Sequence, residues 1–239
     1  AGTGKERRAG GSGSSGASTT GWLGRWIDRN GSATNPLQAI SIDNALSKAI
    51  RTQVNPVCAI PSLSALGFTM NASGGYGSPS GDASHVDVNA RMRELSAFAP
   101  GNPANLPLAR SRGTYGIAVD AYQAGKTLGP LPAPVGYPAN ATSGSSLSGK
   151  LRLAAHLLGA NLGKRIITIH WGGFDTHGGQ LASQDPQLTE LSRALGAFRA
   201  DLATRGIEQT VSTMVFSEFG RRVAENGSAG TDHGAGGLM

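Results

Sequence analysis

From residue 147 onward the chain alternates between two periods of apolar residues. Leu147, Leu151, Ala154, Ala155, Leu158 and Leu162 recur at spacings of three and four, which is one face of an amphipathic helix. Gly163 suits the close of that helix. Arg165-Ile166-Ile167-Thr168-Ile169-His170 then reads as a β-rich buried strand. A loop follows over Trp171–Asp185. Pro186 suits the first turn of a second helix, which Leu188, Leu191, Leu195, Phe198 and Leu202 continue and Gly206 ends. Thr210–Ser217 reads as a second strand. Helix, strand, helix, strand predicts an α/β domain, and two strands joined by a helix should be parallel neighbours. The loops after His170 and Ser217 would then leave the carboxyl ends of parallel strands, where open α/β sheets hold their ligands.

The first part of the chain is less regular. Leu37–Ile42 and Val57–Ile60 read as short strands, and Val86–Phe98 and Arg110–Leu128 as helices. Gly129–Ser146 is a Pro-, Gly- and Ser-rich loop. Residues 1–20, with six Gly and four Ser, are expected to be flexible. This gives a flexible segment over 1–20 and a single domain over 21–239, with a loop-rich, insert-like region at about 60–145. The sequence starts at Ala1 and stops at Met239 inside a Gly- and His-rich loop, so a piece of a longer protein is expected.

Composition removes several classes of protein. One cysteine in 239 residues excludes a disulfide framework and any C-x-x-C zinc or redox site. There is no apolar run of about 18 residues, so no transmembrane segment is expected. The net charge of +6 raises the question of nucleic acid. Residues 1–112 carry 11 basic and 6 acidic side chains, +5, and residues 113–239 carry 10 and 9, +1. The excess lies in loop-rich sequence without a basic helix face, so nucleic acid is not expected as a partner. Ten of the 36 glycines lie in 172–179 and 220–237, the two loops that also hold acids and imidazoles.

Those loops are where chemistry is concentrated. The first reads Trp171-Gly172-Gly173-Phe174-Asp175-Thr176-His177. The second runs through Ser217-Glu218-Phe219-Gly220-Arg221-Arg222 and Asn226 to Gly230-Thr231-Asp232-His233-Gly234. Carboxylate oxygen and imidazole nitrogen together suit a divalent ion such as zinc or manganese. Asp175-Thr176-His177 and Asp232-His233 are also readable as Asx-type turns. Glu218 has three readings: a metal ligand, a partner for a ligating His, or an ion-pair partner of Arg221. His170 reads as a half-buried strand-end residue, His85 and His156 as structural, and Cys58 as a small buried hydrophobe. Gly11-Ser12-Gly13-Ser14-Ser15-Gly16 matches G-x-G-x-x-G without a flanking strand or helix. Gly125-Lys126-Thr127 lacks the first glycine of a P-loop, since position 120 is Asp. No G-x-S-x-G nucleophile elbow is present.

Trp171–His177 with Gln180, and the run Phe216–Ser228 continued by Gly230–Gly234, resemble the signatures of domain-of-unknown-function family 1501. Gly21-Trp22-Leu23-Gly24-Arg25-Trp26 resembles an earlier landmark of that family. The family consists largely of bacterial proteins exported by the twin-arginine route and is grouped with the alkaline phosphatase and sulfatase superfamily. The resemblance implies a three-layer α/β/α sandwich with a mainly parallel sheet, here incomplete at the N-terminus, and a periplasmic or secreted location. It implies metal ligands at Asp175, His177, Asp232 and His233 for zinc, with manganese, calcium or magnesium as alternatives. Glu218, Arg221 and Arg222 would be the catalytic groups, with Arg221 or Arg222 holding the anionic oxygens of a small-molecule or polymer ester. Thr176, Ser217 and Thr231 stand near the site as hydroxyl groups. The expected function is a metal-dependent hydrolase of phosphate or sulfate esters. The alternative is a non-catalytic exported binding or assembly protein. A third reading, a sugar or polymer binder, would line a groove with Trp22, Trp26 and Trp171.

Overall fold

The structure is a computed structural model and describes residues 20–63 and 128–237. The readings for residues 1–19, the helices at Val86–Phe98 and Arg110–Leu128, and His85 fall outside these residues; the insert-like region is covered only at its two ends.

A three-stranded parallel sheet is the centre of the fold. Its order is β2-β1-β3, with β1 at Ala39–Ile42, β2 at Cys58–Ala59 and β3 at Ile166–Ile169. In register, Ile40 faces Cys58 on one side and Ile167 on the other. All four residues of β1 are buried, as a central parallel strand covered on both faces requires. Its one polar side chain, Ser41, is satisfied: it shares a 3.0 Å hydrogen bond with Thr168 and accepts one of 2.8 Å from the Ser47 amide.

The alternation of β1 sends side chains to two cores. Ile40 and Ile42 join Leu147, Leu151, Ala154 and Leu157 of α2 (Leu147–Gly159) and Phe198 and Leu202 of α3 (Gln180–Thr204). Ala39 joins Ile27 of α1 (Trp22–Asn30) and Ile50. Helices therefore lie on both faces of the sheet. The α1 layer is fastened by the Asp28 carboxylate, which accepts from the amides of Gln53, Val54 and Asn55 at 2.8–3.0 Å. Burial raises the Asp28 pKa, but those three donors outweigh it and leave it below the usual value.

The helix signals are realised with shifted ends. Ser146 caps α2 by accepting from the Gly149 amide at 3.0 Å. The helix closes at Gly159, and Gly163, with φ of 68°, serves the turn into β3 instead. Gly206 does end α3: with φ of 69° it forms a Schellman turn, Gly206 N to Ala203 O at 2.9 Å and Ile207 N to Leu202 O at 3.0 Å. Pro186 does not start α3 but lies inside it. The start is drawn back to Gln180 because the carbonyls of Ser228 and Ala229 accept from the Gly179 and Gln180 amides at 3.0 and 2.9 Å.

The expected strand at Thr210–Ser217 is not formed. Val211–Ser217 carries no regular secondary structure and joins no ladder, and Met214, Val215 and Phe216 are exposed. The β pattern specifies an extended backbone but names no partner. The neighbour of β3 is β1, not a strand from this segment. Among the described residues no helix is long and apolar enough to cross a membrane.

Candidate functional site

Two loops meet beyond β3. The first, Trp171–Gly179, is seated by Trp171, which packs on the main core, and by Phe174, edge-on to Trp171 with centroids 5.1 Å apart. Gln187 of α3 donates to the Gly173 carbonyl at 2.9 Å. The second loop runs between two short antiparallel strands, β4 (Gly220–Arg221) and β5 (His233–Gly234), with Arg221 opposite His233.

Arg221 joins the two loops. Its guanidinium donates to the Phe174 carbonyl at 2.5 Å, to the Thr231 carbonyl, and to the Thr176 hydroxyl at 3.3 Å. A planar fork of donors suits several acceptors at once. The sequence offers Arg221 or Arg222 for the anionic oxygens of an ester; the Arg221 donors are engaged by the chain itself. Arg222 is free of that duty: its exposed guanidinium lies 3.9 Å from Asp232.

The clasp brings imidazoles and carboxylates together. His233 Nε2 lies 2.8 Å from Asp175 Oδ1, and His177 Nε2 lies 3.0 Å from the same oxygen. One ligand atom from each of Asp175, His177 and His233 falls within 4.8 Å of the others. On the far side of the His177 ring, Nδ1 lies 3.5 Å from Asp232 Oδ1. A single imidazole thus spans the two carboxylates. All four side chains are about half-exposed, so the cluster is open to solvent.

Packing fixes the ring planes. Phe219 stacks on His233 with centroids 4.1 Å apart and planes 15° apart. The hydrogen bond with His233, assisted by His177, holds the Asp175 carboxyl below its usual pKa. Asp232 is lowered as well, first by the Asn226 amide and then by His177 and Arg222.

Asn226 was visible in the second loop but had no role in the sequence reading. Its Nδ2 donates to Asp232 Oδ1 at 3.1 Å and to the His177 carbonyl at 3.0 Å. Its Oδ1 accepts from the Ser228 and Gly230 amides at 2.9 and 3.1 Å. The signal was an Asn-Gly-Ser turn, which marks an Asx turn but not what the outward amide reaches. Gly230 matters for a related reason: a Cβ there would lie 2.4 Å from the carbonyl carbon and oxygen of His177. The loops touch backbone to backbone at that point, and only glycine permits it.

The remaining expected residues lie elsewhere. Glu218 is exposed and outside the cluster, and no ion pair to Arg221 forms. His170 is exposed, 3.9 Å from Asp43. His156 is buried in α2, as a structural residue should be, and Cys58 is half-buried with its thiol pushed up to about 12 by burial. Thr231 donates to the Gln180 side chain at 2.8 Å. Trp22 and Trp26 are exposed on α1, whereas Trp171 packs on the opposite face of the sheet, so the three do not line one groove.

Residues 126–239 match the model of a family described as a protein of unknown function, DUF1501.
The match covers both loops and every residue of the cluster. No curated protein and no solved structure matches the chain.

Proposed function

We propose that the cluster is a divalent-metal centre and that the protein is a metal-dependent hydrolase of phosphate or sulfate esters. The observation that carries this reading is the convergence of the ligand atoms of Asp175, His177 and His233 within 4.8 Å. Two imidazole nitrogens and one carboxylate oxygen form a donor set that fits zinc, with manganese next. Three protein ligands leave a coordination position open, the pattern of catalytic rather than structural sites. The half-exposed side chains give an ester a way in.

The fit extends to the residues behind the ligands. Asp232 takes the outward nitrogen of His177, which leaves Nε2 as the ligating atom and fixes the tautomer. Asp232 therefore supports a ligand in this reading and is not itself one. A divalent ion supplies Lewis acidity toward the oxygens of the ester. Arg222, exposed beside the cluster, attracts and holds the remaining anionic oxygens. The Arg221 clasp keeps the two loops in register. The wider three-layer sandwich and export to the periplasm or outside belong to the same reading, and the helices on both faces of the sheet agree with the former.

Two measurements test the proposal. Titration of the full chain with zinc should show one site, weakened in Asp175→Ala. With zinc, manganese, calcium or magnesium, 4-nitrophenyl phosphate or 4-nitrophenyl sulfate should be hydrolysed, and less so by Arg222→Ala. Tight zinc binding without turnover of any ester would favour the binding or assembly protein; absence of both would remove the reading.

A further inference from the structure

A groove of about 320 Å³ lies between the first turns of α3 and the Val223–Thr231 part of the second loop. Its lining reaches the backbone of the cluster, since Gly230 abuts the His177 carbonyl. Thr231 directly precedes Asp232, Gln180 follows His177 by three residues, and the 2.8 Å hydrogen bond between Thr231 and Gln180 ties this wall together. Its size falls at the lower end for small-molecule sites.

The lining has a definite chemical character. Leu181, Leu188 and Val223 provide apolar surface and are exposed, 82%, 48% and 100% respectively. Three large aliphatic side chains turned to solvent around one depression make an apolar patch with a shape, unlike scattered exposed residues. Among the described residues the charged lining groups are Asp185 and Glu225, and no Lys, Arg or His lines the groove. Of the cations near the cluster, Arg221 is engaged by carbonyls and Arg222 lies exposed beside Asp232. The site thus presents a cationic side at Arg222 and an anionic, apolar side at the groove.

We infer that this groove receives the alcohol portion of the ester, and that this portion is a compact cation on an apolar frame, an alkylammonium alcohol of the choline type. The inference rests on the hydrolase reading above. Hydrolysis adds water across the P–O or S–O bond, so the alcohol leaves with a proton as a neutral hydroxyl that still carries its ammonium charge. Carboxylates near ammonium groups attract, while a carboxylate-bearing alcohol is repelled by Asp185 and Glu225. Apolar walls remove the methyl or methylene surface of the cation from water.

The test separates the groove from the chemistry. Choline chloride is titrated into the full chain without metal, and the methyl resonances of Leu181, Leu188 and Val223 are followed by NMR, with sodium chloride as the ionic-strength control. Saturable shifts of these methyls are expected, and an Asp185→Asn/Glu225→Gln double variant should weaken choline binding at least about tenfold, as two near carboxylates acting on one cation imply. With zinc, kcat/KM for phosphocholine should exceed that for 2-phosphoglycolate by at least about tenfold on the same grounds. No saturable methyl shift, or a preference for the carboxylate ester, overturns the inference. If no ester turns over while choline still shifts the methyls, the hydrolase reading fails and the cation groove stands. A double variant with an unchanged unfolding temperature and unchanged choline affinity removes the roles of Asp185 and Glu225.

Discussion

Asn226 holds His177 from behind. Its side-chain amide donates to the His177 main-chain carbonyl at 3.0 Å and to Asp232, the residue that faces His177 Nδ1, at 3.1 Å. One side chain therefore sets both the position of the His177 backbone and the partner of its ring. Asn226→Ala should lower zinc affinity about 10–100-fold, the range found when an outer partner of a ligating His is lost. Nitrogen-15 chemical shifts of His177 should show a mixed tautomer in the variant and one tautomer in the parent. Unaltered tautomer and affinity would make Asn226 a turn residue only.

The close approach at Gly230 gives a second expectation. A methyl group there would meet the His177 carbonyl at 2.4 Å, with backbone on both sides and no flexible end to yield. Gly230→Ala should separate the loops and destabilise them by about 1–3 kcal/mol, as overpacking does. Zinc affinity should fall together with thermal stability; Gly227→Ala, where a Cβ meets nothing within 4 Å, is the control and should change neither.

His156 sets an acid limit on stability. Burial inside α2 lowers its pKa below the ordinary 6.5. In the window between its folded pKa and 6.5 the unfolded chain binds the proton that the folded chain refuses, so stability rises with pH there. The contribution is present above about pH 7 and declines as pH falls through 6.5. Denaturant unfolding from pH 7.5 to 5.5 should show that slope in the parent chain and a flatter one in His156→Gln.

Lys164 works in the alkaline range. Its amine is buried without a hydrogen-bond partner, and burial lowers its pKa to about 8. Between about 8 and its ordinary 10.5 the unfolded state binds more protons, so stability should rise across that window. At pH 7 the ammonium is a cost, and Lys164→Met should raise stability by about 1 kcal/mol. A destabilised variant at pH 7 would show that the amine finds a compensating partner.

The parts of the fold legible in the sequence were those with local physical causes. The apolar stripe of α2, the run Ile166–Ile169 and the Gly206 stop each depend on residues within a turn or two of each other. The start of α3 depended on carbonyls from Ser228 and Ala229, about fifty residues away, so Pro186 misled. Thr210–Ser217 has strand composition, but pairing is a tertiary event that composition does not determine. At the site, the residue types and the two loops were legible, because glycine, acid and imidazole recur there at short spacing. The division of labour was not. Arg221 as a clasp, Asp232 behind His177 and Asn226 as the link all depend on how two loops, 40 residues or more apart in sequence, face each other.

The central claim is that Asp175, His177 and His233 bind one divalent ion. The most direct measurement is equilibrium zinc binding by the full chain in competition with a chromophoric chelator, comparing the parent with Asp175→Asn and His233→Ala. One zinc per chain is predicted, with each variant weakened more than about 100-fold, beyond the effect of losing an outer partner. Zinc binding equal in the parent and both variants, or none in the parent at neutral pH, would contradict the claim.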